Sequence, residues 1–162
     1  MHVTVRLADL NDVDILVKAR FDYFEAEDWT LTPVEHQSFK KTLEQYYHDH
    51  LNKDFFAALV ERDGDFAATA FLTINRMPAN VFTPTGANAL ILNVLTYPAH
   101  RRNGCATLAL NTLIDIAGQH NVSHIKLSAS EMGRPVYEKL GFKVDVPTQF
   151  TPMKLELQSK TD

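Results

Sequence analysis

The stretch that decides the fold is Ala89-Leu-Ile-Leu-Asn-Val-Leu-Thr-Tyr-Pro-Ala-His-Arg-Arg-Asn-Gly-Cys-Ala106, continuing to Ala117. It opens as an apolar, β-branched run and closes as an amphipathic one. Leu110, Leu113, Ile114 and Ala117 repeat at helical spacing, with Ala106 one turn earlier. The turn from Arg101 to Ala106 therefore feeds a strand into a helix N-terminus. Such an end carries unpaired backbone N–H groups and the positive end of the helix dipole, so it suits a phosphate. Gly104 lets main chain approach an anion, Ala106 keeps the first turn narrow, and Arg101 and Arg102 add charge.

Two phosphate-binding loops are excluded. The turn lacks the second Gly and the Lys of a P-loop, and it lacks the Gly-x-Gly-x-x-Gly of a dinucleotide fold. Taken alone, the turn is equally an ordinary strand-turn-helix whose arginines face water.

Length and composition narrow the class. At 162 residues, 45% apolar and 22% charged, the chain reads as about one globular domain with a sizeable core. No apolar run reaches membrane-spanning length, and the first residues lack a signal-peptide plan. One cysteine, Cys105, permits no internal disulfide, which points to a reducing cytoplasm. A formal charge of −4 argues against a general nucleic-acid surface. The seven histidines are scattered, and no metal site is expected.

Outward from the central stretch, Val3 to Leu7 alternates as a first strand. Asp9 caps a helix whose stripe is Val13, Leu16, Val17, Phe21 and Phe24. Thr32, Pro33 and Glu35 form a helix start with a capping box. Phe55 to Glu61 and Phe66 to Ile74 are strands joined by the Asp63-Gly64 hairpin turn. The loop 75–88 is long enough to border a site or to be a solvated connection. Ala89 to Tyr97 is the central strand, with a helix from about Asn103 to His120. The next strand, His124 to Ala129, follows it by a right-handed crossover. Glu131 to Leu140 is a short helix ended by Gly141. Phe142 to Val144 and Met153 to Leu157 read as two last strands, and 158–162 as a polar tail.

The series Pro98-x-x-Arg101-x-x-Gly104-x-Ala106 resembles the acetyl-coenzyme A signature of the GNAT acetyltransferases. Tyr137-Glu138-Lys139-Leu140-Gly141-Phe142 is similar to that family's ending of the next helix. Two motifs in this order and spacing make a specific signal. The resemblance implies a single domain over 1–157, of α/β class, with element order βααβββαβαββ. It implies a twisted mixed sheet whose central parallel strands splay apart. It implies acetyl-coenzyme A as cosubstrate, its pantetheine arm paired with Leu95, Thr96 and Tyr97. The diphosphate would lie on the N–H groups of Arg102, Asn103, Gly104, Cys105, Ala106 and Thr107, beside Arg101. Ser130 stands where many relatives carry Asn near the pantetheine.

Acetyl transfer needs a neutral amine, a donor for the oxyanion and a proton for the departing sulfur. A backbone N–H near Leu95 suits the oxyanion. The resemblance places Tyr137 at the general-acid position, and its ordinary pKa of ~10 suits a thiol leaving group. A carboxylate common on the family's central strand is replaced by Asn93, which cannot take a proton but could order a water. Glu131 is a further base candidate, equally readable as a helix-dipole partner.

The implied activity is N-acetyl transfer to a primary amine of a small molecule or peptide, without nucleic acid or membrane as partner. A non-catalytic acyl-coenzyme A-binding module on the same fold is the alternative. Trp29, Tyr23 and nearby carboxylates would suit a polyamine-like or aminoglycoside-like acceptor; a peptide amine is as compatible. Pairing of the exposed terminal strands would give a homodimer.

Overall fold

The computed structural model describes residues 1–146 and 148–158; most of the expected polar tail, 159–162, lies outside them. Among these residues, five strands form one sheet in the order β1-β2-β3-β4-β5. They are β1 (Val3–Leu7), β2 (Phe55–Arg62), β3 (Asp65–Arg76), β4 (Ala87–Thr96) and β5 (Ile125–Lys126). The helices are α1 (Val13–Ala26), α2 (Pro33–His50), α3 (Cys105–Gln119) and α4 (Arg134–Lys139).

Local chemistry sets the boundaries. Thr32 Oγ1 accepts from Glu35 N, and the Glu35 carboxylate accepts from Thr32 N, so α2 starts on a complete capping box with Pro33 next. Asp9 caps a short 3₁₀ turn ahead of α1. Asp63 and Gly64 both take positive φ, 53° and 92°, as a tight hairpin turn requires.

Two apolar layers sandwich the sheet. On one face α3 packs Ala109, Leu110 and Leu113 against Ala58, Val60, Ala70, Leu72 and Ile91. On the other, α1 and α2 contribute Leu16, Val17 and Tyr47 against Phe55, Leu59 and Phe71. The small residues of β2 and β3 let α3 lie close, since nothing protrudes from the sheet beneath it.

β4 is paired on both sides only at its start. β3 runs antiparallel along it from Arg76↔Ala87 to Ala68↔Thr96. β5 runs parallel to it at only two positions, Ala89↔Ile125 and Leu90↔Lys126. Beyond Leu90 the two parallel strands separate, as the resemblance implies. The register with β3 slips between Thr69 and Phe71, where Leu95 and Leu92 stand opposite. Asn93 and Val94 thus share one partner position, Ala70. This is a bulge, and Asn93 takes φ 54° within it.

The C-terminal expectation is corrected. Phe142 to Val144 and Met153 to Leu157 are not strands. Met153, Leu155 and Leu157 alternate as strand residues do, but all three are more than four-fifths exposed. Alternation assigns side chains to faces; it supplies no neighbouring backbone, and β5 offers a short edge. The loop 75–88 also shortens to 77–86, because both flanking strands extend into it.

Asp12 ties β1 to α1. Its carboxylate accepts from Arg6 Nη1 and Nη2 at 2.6 and 2.8 Å and from Asp9 N at 2.8 Å. The Arg6 hydrogen bonds, chiefly, hold its pKa below the usual carboxylate range. A lowered folded-state pKa stabilises the fold above the unfolded value and loses that contribution as pH falls through the folded one. With Arg6 half exposed, Asp12→Asn is expected to cost about 1–2 kcal/mol in urea unfolding at pH 7. The difference from the parent should shrink as the pH falls below the usual carboxylate range and is lost once the pH passes the lowered folded-state pKa of Asp12. Equal stability at pH 7 would remove this role.

Candidate active site

The free edge of β4 leads straight into the basic turn. Tyr97 N donates to Ala67 O on β3 at 3.0 Å. Strand alternation then turns Leu95 to β3 as well, and Val94 and Thr96 outward to the gap. Thr96 O on that side accepts from Arg101 Nε at 3.3 Å. Of the three residues expected to pair with a pantetheine arm, only Thr96 presents its peptide edge to the gap. Val94 is the other residue whose peptide edge faces the gap; choosing it over Leu95 requires the register with β3. The Leu95 N–H likewise faces β3, so the peptide edge near the bulge belongs to Val94. The Leu95 side chain is buried. The Tyr97 hydroxyl donates to Asp22 Oδ2 at 2.5 Å, under a Lys18 ammonium 5.5 Å from its ring centre. Burial, then Asp22, raises the Tyr97 pKa.

Past Thr96 the chain turns twice through positive φ, 61° at Arg102 and 75° at Gly104, and enters α3 at Cys105. Alternating handedness of this kind curls successive N–H groups toward one point. Among the described residues, the N–H groups of Arg102, Asn103, Gly104, Cys105, Ala106 and Thr107 have no acceptor; the first α3 bond to Gly104 O comes from Leu108. A Cβ built on Gly104 would meet nothing within 4 Å, so the hollow is open. Asn103 Nδ2 braces the turn on Arg101 O at 2.8 Å and His100 O at 3.2 Å. Arg101 and Arg102 are exposed. Cys105 turns its thiol into the α3 core, 2% exposed, and lends the hollow only its N–H. Its alkylation therefore requires α3 to open first.

Tyr137 lies across the gap. Its ring packs on the α3-side core and meets Phe142 edge-on at 6.1 Å. Burial pushes its hydroxyl up to about 12, and Tyr23 of α1 and Glu27 just past the end of α1 add to the shift. The phenol thus belongs to one face of the sheet and feels charges on the other. A short turn positions it: Ser130 Oγ accepts from Gly133 N at 3.1 Å, and Ser130 O accepts from Arg134 N at 2.9 Å. Gly133 permits close approach, since a Cβ there would stand 3.1 Å from the Tyr137 ring.

Asn93 is not available to a water. It is buried, its Oδ1 accepts from Arg20 Nη1 at 3.3 Å and its Nδ2 donates to Ala19 O at 3.4 Å. Arg20 is therefore a residue that sequence reasoning missed. A signal was present: it is the charged residue four places from both Leu16 and Phe24 in the Val13, Leu16, Val17, Phe21, Phe24 stripe.

The sequence profile of the acetyltransferase (GNAT) family matches residues 19–142. The chain belongs to this family. A predicted acetyltransferase of Clostridium acetobutylicum, crystallised with acetyl-coenzyme A, is 29% identical. The match covers 94% of this chain and 96% of that one, with a TM-score of 0.79. Two more distant structures share the fold. Glucosamine-6-phosphate N-acetyltransferase of Arabidopsis thaliana is 16% identical over 95% of this chain and 100% of its own, with a TM-score of 0.67. Ribosomal-protein-alanine N-acetyltransferase of Brucella melitensis is 18% identical over 94% and 100%, with a TM-score of 0.65. No curated protein sequence matches. Among the described residues, no helix is long and apolar enough to cross a membrane.

Coenzyme A tests this hollow as a diphosphate site. Coenzyme A should raise the melting temperature of the parent. Gly104→Glu should lose that protection, because it sets a carboxylate among the amides. Gly104→Ala should cost about 1 kcal/mol of stability from its positive φ yet keep part of the protection. Full protection of the Glu variant would contradict the assignment.

Proposed function

We propose that the protein transfers an acetyl group from acetyl-coenzyme A directly to a primary amine, with no acyl-enzyme. The observation that carries this reading is a strand edge, without a neighbouring strand from Val94 to Thr96, running into six unpartnered amides at a helix start. An amide-rich arm and its diphosphate are the chemistry that such an edge and such a corner recognise.

Acetyl-coenzyme A brings the activated thioester. The amine nitrogen forms the new C–N bond, the C–S bond breaks, and coenzyme A leaves as the thiol. Solvent takes the proton that the amine sheds. The chain's part is positioning and polarity. Amides of Arg102 to Thr107 hold the diphosphate, with Arg101 and Arg102 adding charge. Val94 and Thr96 align the arm by main-chain pairing. Ser130 acts through the turn that fixes Tyr137. Tyr137 supplies a proton to the sulfur; buried as it is, its hydroxyl stays protonated across the physiological range. Asn93 is a positioning residue that locks the bulge.

Tyr137→Phe should lower kcat about 10²-fold with coenzyme A affinity kept within about twofold. With the parent, kcat/KM should climb with pH as the amine deprotonates. Tyr137 should give no falling limb below about pH 11, because its raised pKa keeps it loaded. An unchanged kcat in the Phe variant would remove its acid role. Coenzyme A binding with no amine acetylated would favour the non-catalytic module instead.

A further inference from the structure

Arg20 is a partly buried cation with no carboxylate paired to it among the described residues. A guanidinium carries five N–H donors in a flat fork. Here one is spent, weakly, on Asn93 Oδ1 at 3.3 Å, and the group lies 4.8 Å from the Phe24 ring centre. Among the described residues, Arg20 has no salt bridge and no other hydrogen bond. Beside it, the Tyr47 hydroxyl is also buried without a partner. Burial disfavours the Arg20 charge, and the titratable groups that act on it are Tyr47 and Tyr23. A partly buried guanidinium with open donors and no counterion is a ready partner for an anion that arrives from outside.

Place matters as much as charge. Arg20 and Tyr23 fall at i and i+3 on α1, and Glu27 caps the end of that helix at i+7. Arg20 meets the bulge residue Asn93, one position from the peptide edge of Val94, and Tyr23 and Glu27 influence Tyr137. The guanidinium therefore borders the point where the thioester would lie.

We infer that Arg20 binds a carboxylate on the acceptor, and that the acceptor is an α-amino acid or a close analogue. The inference rests on the transferase reading above and names its substrate class. A carboxylate paired with the fork sets an amine two bonds away, beside β4 and short of Tyr137. The same positive charge disfavours the ammonium form of that amine, so the nucleophile arrives neutral although the strand offers no carboxylate base. The planar fork also suits a carboxylate better than a point charge would.

The test compares matched acceptors with the full chain and acetyl-coenzyme A. The common L-amino acids are offered as free acids, as carboxamides and as decarboxylated amines, with product mass and thiol release as readouts. At least one acid should exceed its own amide in kcat/KM by about 10²-fold. Arg20→Met, which keeps a long side chain over Phe24, should bring that ratio near one, and Arg20→Lys should leave an intermediate ratio. Retained protection by coenzyme A certifies that each variant is folded. Amides or plain amines that match the acids in the parent would overturn the inference while leaving the transferase standing. A ratio that survives Arg20→Met would do the same. Turnover of no amine in any form would sink the transferase reading, and this one with it.

Discussion

One extra residue in β4 governs the architecture. Asn93 and Val94 occupy a single partner position against β3, and the strand bends where they do. Asparagine is among the few side chains that tolerate positive φ, and here both ends of its amide are bonded to α1. The parallel pairing with β5 has already ended at Leu90. A sheet interior would normally hide every main-chain donor and acceptor of its central strand. This one leaves a run of them open, and the unpaired edge is a recognition surface.

The corner after β4 continues the same logic. Peptide groups left over from the sheet pass into those left over from a helix start, with two left-handed turns to aim them. The net charge of the molecule is −4, so an anion would be drawn by this local array, with Arg101 and Arg102, and not by the molecule as a whole. α3 is anchored beneath by Ala109, Leu110 and Leu113, which keeps the array rigid. Tyr137 reaches the gap from the α3 side, and Arg20 and Tyr23 reach it from the α1 side. Both layers of the molecule thus contribute to one cleft.

Much of this was legible in the chain itself. The capping residues, the Asp63-Gly64 turn and the helical stripes are local signals, and the elements follow them closely. The corner was legible too, since a glycine between a β-branched run and an amphipathic one has few uses. What was not legible depends on pairing. Val94 could not be preferred to Leu95 without the register against β3. The sequence leaves the Asn93 amide free to order a water, because it does not reveal Ala19 and Arg20 across from it. Met153, Leu155 and Leu157 carry a strand's alternation with no strand beside them. Arg20 was overlooked although a charge within an apolar stripe is itself a clue.

The central claim is that the open edge of β4 and the amides of the corner form one continuous binding surface. Amide hydrogen exchange, resolved by residue and compared with and without coenzyme A, addresses it most directly. Protection is expected at Val94, Thr96 and across Arg102 to Thr107, with Leu95 and Tyr97 unchanged because β3 already holds them. Protection confined to other segments, or equal slowing at Leu95 and Thr96, would contradict the account.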